Sequence, residues 1–97
     1  MATLVVRPEA ELDAQEASVW YEGERPELGL RFLREVSAAF QRIEDGPLQF
    51  PTVFANIRRA ILHRFPFGVF FVLEGDVATV LAITHLHRHS SAWQSRR

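Results

Sequence analysis

The apolar residues of this chain pass halfway along it from helical stripes to continuous strand-length runs, and that change limits its possible folds more than any other feature. From residue 8 to 22, Ala10, Ala14, Ala17, Trp20 and Tyr21 recur at spacings of three and four, which places them on one side of an α-helix. Pro8 suits the first turn of that helix, and Glu9, Glu11 and Asp13 follow where its dipole favours negative charge. Gly23 interrupts the pattern and Pro26 can open a second helix. Leu28, Phe32, Val36, Ala39 and Ile43 then mark a longer stripe, widened by Leu33 and Phe40 and ended by Gly46-Pro47. Beyond it come strand-length runs rich in Val, Ile, Phe and Leu, at residues 57–64, 67–73 and 77–84. Phe65-Pro66 joins the first two, and Glu74-Gly75-Asp76 is a tight hairpin turn between the second and third. Residues 3–6 form one more short strand.

Amphipathic helices and short strands must bury their apolar sides against one another. The pattern therefore predicts a two-layer α+β domain of order β-α-α-β-β-β, with a helical hairpin on one face of a mostly antiparallel four-stranded sheet. Its opposite face should be free. Trp20, Tyr21, Phe32, Phe40, Phe70 and Phe71 fall on the stripes and are expected in the core.

Ninety-seven residues suit a single domain, 1–97, and residues 85–97 read as a basic, polar tail broken only by Trp93. No apolar run approaches the roughly 20 residues of a membrane span, and residues 1–6 lack the features of an export signal. Cysteine is absent, which excludes disulfides and thiolate metal sites and agrees with a cytoplasmic location. The formal charge of −1 hides an imbalance: residues 1–50 hold ten acids and five arginines, residues 51–97 two acids and six arginines. All four histidines lie in the second half, and no lysine occurs anywhere. Either the second half meets anions or acidic partners, or the imbalance reflects only acidic helices with a solvated face.

Chemistry-bearing residues concentrate there. Arg58 and Arg59 are adjacent on a strand and leave it on opposite faces. One should turn toward the helices or the rim and pair with an acid; the other, with Arg64 and Arg88, can populate the free face or its edge. His85, His87 and His89 alternate, so an extended backbone would project all three from one side. Two such histidines are competent acid–base partners near neutral pH. Zinc is a poor fit, because strand positions four apart are about 13 Å from each other, too far to share an ion. Neither a metal nor a cofactor is expected. Arg96 and Arg97 read as solubilising charge at the chain end.

The ordered set of segments resembles one family. Trp20-Tyr21-Glu22, Arg25-Pro26-Glu27-Leu28-Gly29 and Arg31-Phe32-Leu33-Arg34-Glu35-Val36 are similar to the helical hairpin of ParE-like toxins in the ParE/RelE superfamily. The run from Asn56 to Phe67 resembles that family's arginine-rich strand and its phenylalanine–proline–aromatic turn; Leu81-Ala82-Ile83-Thr84-His85, with Trp93 beyond, resembles its last strand and tail. The resemblance implies a sheet order of 1-4-3-2 and a cognate antitoxin as partner, in a homodimer or a toxin–antitoxin heterotetramer. It also implies inhibition of DNA gyrase (ParE-like) or cleavage of messenger RNA on the ribosome (RelE-like). A relative that keeps only antitoxin binding is a third outcome. RelE-like nucleases use lysine and arginine on the open face and a tyrosine or histidine in the tail; here there is no lysine, Gly68 stands at the matching arginine place, and Trp93 cannot donate a proton in that role. The ParE-like reading is therefore preferred. The residues expected at the target or antitoxin interface are Arg58, Arg59, Arg64, His85, His87, Arg88, His89 and Trp93, with Arg59, His87 and Arg88 as the substitute catalytic groups of the nuclease alternative.

Overall fold

The computed structural model of the chain describes residues 1–88 and 90–97. Strand β1 (Thr3–Val6) leads into helix α1 (Pro8–Glu24), which turns back through α2 (Leu28–Asp45). A single 3-10 turn, Pro47–Gln49, precedes β2 (Thr52–Phe54), β3 (Ile57–Ile61), β4 (Phe67–Glu74), β5 (Val77–His85) and a last short helix, α3 (Ser91–Gln94). The sheet has five strands in the order β1-β5-β4-β3-β2, antiparallel except for the β1–β5 pair. The predicted order is thus retained, with one strand added at the edge. The addition is Thr52-Val53-Phe54, a run too short to register as a strand by its own pattern, which turns through Ala55 and Asn56 onto β3.

The helical hairpin closes tightly for local reasons. The backbone at Glu27 is left-handed, with φ of 72°. The Glu22 carboxylate accepts the backbone N–H groups of Glu27 at 2.9 Å and Gly29 at 3.1 Å, supplying partners that the start of α2 lacks. Gly29 faces the Ser18 carbonyl oxygen of α1 so closely that a methyl group there would collide with it. From this hairpin Ala10, Ala14, Phe32, Val36, Ala39 and Ile43 enter the main core against Ala60, Val69, Phe71, Ala78, Val80 and Ile83 of the sheet. Trp20 departs from its expected burial: it is 61% exposed, because α1 turns its Ala10–Ala14–Ala17–Tyr21 side to the sheet and leaves Trp20 on the rim.

Two strand boundaries also differ from expectation. The first long run ends at Ile61, not at residue 64, and residues 62–66 form a compact loop in which Leu62 N–H donates to the Phe67 carbonyl at 2.9 Å. Arg64 takes a left-handed backbone there, φ 69°. The β4–β5 hairpin closes through Gly75 and Asp76, with Gly75 at φ 62°, the conformation a two-residue turn asks of glycine. A bulge in β5 opposite Phe70 and Phe71 places Leu81 beside Ala82 on the side away from the helices.

That side is not free, contrary to the expectation of an open face opposite the helices. Ile57, Phe70, Val72, Leu81 and Ala82 build a second, smaller core, and Trp93 of α3 covers it at 8% exposure. Its indole stacks on Phe70 with ring centres 4.4 Å apart and planes 13° from parallel. A four-residue helix cannot be recognised from apolar period, so the tail that looked merely polar proves to be a cover. Among the described residues no helix is long and apolar enough to cross a membrane.

Candidate functional site

The expected interface residues do not form one patch; the structure distributes them over four places. Arg58 lies on the helix side of β3 and donates to the Phe50 carbonyl at 2.6 Å. One of the two adjacent arginines was expected there, but its partner is a backbone carbonyl and not an acid. His89 lies outside the described residues, so the three-histidine row cannot be traced through it.

Arg59 and Trp93 occupy the second face. Arg59 pairs across the ladder with Phe70, and its aliphatic stem lies over Gly68, where a methyl group would come within 3.1 Å of Arg59 Cγ and of the Phe70 ring. Gly68 in turn pairs with Thr84, which is 2% exposed. The Arg59 Nε and the Thr84 Oγ1 are both buried and have no partner among the described residues. A buried donor left so is costly, by about 1–3 kcal/mol, and marks a place that a polar ligand can satisfy.

His85, His87 and Arg88 gather at the end of β5. The strand stops at His85 and turns, with Arg88 N–H donating to the His85 carbonyl at 3.0 Å, so the extended backbone needed to align alternate histidines is absent. His85 packs its ring against Phe67 at 5.4 Å, and its Nδ1 accepts the His87 N–H at 3.1 Å. Beside them is a cleft of about 340 Å³, between α1 and the end of β5, that takes in Asp13, Glu16, Trp20, Tyr21, His85 and Arg88. Burial raises the Tyr21 pKa above its ordinary value of 10.0.

Asp13 was missed by sequence reading, where it is one more acid in a first turn. β1 pairs with β5 only as far as Val80, which leaves the next stretch of the β5 edge without a strand beside it. Asp13 fills the gap: its Oδ2 accepts the Ile83 N–H at 3.0 Å and one guanidinium N–H of Arg96 at 2.6 Å. Arg96 reaches the Leu81 carbonyl as well, and Arg7 holds the Arg96 carbonyl at 3.0 Å. Arg96 is therefore a clasp that ties the tail to α1 and not free solubilising charge. A pairing across 83 residues leaves no local trace in a sequence.

Arg64 sits elsewhere again, at the end of the helical hairpin, with Arg25, Arg31 and Arg34 around a groove of about 670 Å³. Among the described residues, no three His, Asp or Glu side chains are close enough to hold a metal ion.

These elements define a class of fold: a helical hairpin packed on a mixed five-stranded sheet, with a C-terminal turn of helix closing the other face. Among solved structures, the chain is similar to one described as the chromosomal ParDE TA system from P. aeruginosa, with a TM-score of 0.77 at 21% identity. The match covers 88% of this chain and 96% of that one, so the likeness is one of whole folds. No family model matches the chain, and no curated protein matches it in sequence.

Proposed function

We propose that the chain is the toxin of a type II toxin–antitoxin pair, ParE-like, neutralised in the cytoplasm by a cognate antitoxin and acting by binding DNA gyrase. The observation that carries this reading is the end-to-end likeness of its fold to a chain from a ParDE toxin–antitoxin structure. Two features favour binding over RNA cleavage. The face that a RelE-like nuclease would use for chemistry is covered by Trp93 stacked on Phe70. The three substitute catalytic groups are also divided: Arg59 lies on that face, while His87 and Arg88 lie in the turn after β5.

The nuclease alternative has one observation in its favour, the unpartnered Arg59 Nε and Thr84 Oγ1, two polar atoms on the side of the sheet that such an enzyme would use. Induced expression in a bacterium separates the readings. The gyrase reading expects arrested growth with relaxed or broken DNA and intact messenger RNA. Cuts in ribosome-bound message, abolished by Arg59→Ala, would establish the nuclease instead, and unimpaired growth would leave only antitoxin binding. The adjacent reading frame provides a second check, because its product should co-purify with this chain.

A further inference from the structure

We infer that the cleft between α1 and the end of β5 is a binding site for a neutral heterocycle of the adenine type. Ile83, Thr84 and His85 are consecutive in β5, and all three line it. Alternate residues line a face of a strand, whereas consecutive ones line its edge, so the cleft opens onto the β5 backbone. The Ile83 N–H already points that way, to Asp13. On an antiparallel strand the N–H and C=O of one residue share an edge with those of the residue two further on. The Ile83 carbonyl and the His85 N–H therefore stand side by side on the cleft, an acceptor next to a donor. Neither has a hydrogen-bond partner among the described residues.

The edge is closed at both ends, which limits what fits. Ahead of these groups it is taken by Asp13 and by Arg96 on the Leu81 carbonyl. Behind them the chain turns, with the His85 carbonyl bonded to the Arg88 N–H. One acceptor and one donor remain, too few for an added strand, which needs about three residues or more. They match the Watson–Crick edge of adenine, where the 6-amino group donates and the ring nitrogen beside it accepts. The volume of about 340 Å³ is at the small end for a ligand site and suits a nucleoside. Trp20 supplies a stacking surface: it is 61% exposed and meets one described ring, Tyr21, edge-to-face at 5.1 Å, so at least one indole face is open. Charge favours a neutral ring over a polyanion. Asp13 and Glu16 line the cleft against Arg88 and the Arg96 bound to Asp13, and His85 accepts the His87 N–H through Nδ1, as a neutral imidazole does. A cleft so balanced offers no track for a row of phosphates.

The test uses the full chain and adenosine, followed by titration calorimetry and by amide resonances. Adenosine should bind one to one and move the His85 N–H resonance downfield. The riboside of 6-dimethylaminopurine cannot donate, and 1-deazaadenosine cannot accept at the matching place. Each should bind at least about tenfold more weakly, because each leaves one backbone group unpaired. Trp20→Ala, at an exposed position, should weaken adenosine at least about fivefold through lost stacking, and Arg97→Glu, outside the cleft, should leave it unchanged. The analogue series needs only the unsubstituted chain, so it reads the site whatever the variants do to folding. Failure of adenosine to bind at millimolar concentration, or binding of both analogues as tight as that of adenosine, would overturn the inference. So would oligo-dA that binds more tightly than adenosine and loses that binding in Trp20→Ala, which would assign the cleft to nucleic acid.

Discussion

Gly29 is the residue on which the closeness of α1 and α2 depends. Its missing side chain lets the Ser18 carbonyl approach, and its N–H is one of the two held by Glu22. A Gly29→Ala change should force the helices apart and cost about 1–3 kcal/mol, as overpacking typically does, which urea unfolding would read as a lower midpoint. Asp13 is its counterpart at the sheet edge. Asp13→Ala strands the Ile83 N–H and releases Arg96, so a loss of about 1–3 kcal/mol is expected, with the Ile83 amide exchanging faster with solvent hydrogen. Tyr21 offers a pH measurement free of interference, since the chain has one tyrosine. Burial raises its pKa, so the folded state holds the phenolic proton more tightly than the unfolded chain. That contribution to stability is complete below pH 10 and is lost as pH rises through the elevated value; ultraviolet titration should show phenolate appearing later in the folded protein than in urea.

At the scale of elements, α3 matters more than its four residues suggest. Its Trp93 covers Phe70, Leu81 and Ala82, which would otherwise be an open apolar sheet face. Trp93→Ala should cost about 3–5 kcal/mol by the usual magnitude for a buried aromatic, and removal of residues 90–97 should raise binding of an apolar dye. The two long helices were readable because each buries one stripe of its own residues, and the three longer strands because their runs are rich in Val, Ile, Phe and Leu, with β4 and β5 buried on both faces. β2 and α3 were not. Three and four residues span too little of a period to register, and both exist only because β3 and Phe70 offer them a surface. The bulge at Leu81 is similar in kind, since nothing in Thr79-Val80-Leu81-Ala82 announces which residue the partner strand will skip.

At the scale of the molecule, charge counted along the chain misled about charge in space. The first half is acidic by count, yet three of its arginines meet Arg64 from the second half around one groove. Of the arginines and histidines expected on the free face or its edge, Arg59 lies on the covered face, His85, His87 and Arg88 lie by the cleft beside α1, and Arg64 lies at the hairpin end. If the toxin reading holds, expression should stop growth and alter DNA supercoiling, and co-expression of the adjacent gene should restore both. Plasmid topology on agarose gels is the measurement that checks it.

Apolar period, glycine and proline positions and the hairpin turn determined, by themselves, that two helices would pack on a mainly antiparallel sheet, because those signals act within a few residues of where they are written. Which residues would share a site was decided only in three dimensions. The clasp of Arg96 on Asp13, the cover of Trp93 and the ring of four arginines each join parts of the chain that are distant in sequence, and a contact made by folding has no period to leave behind.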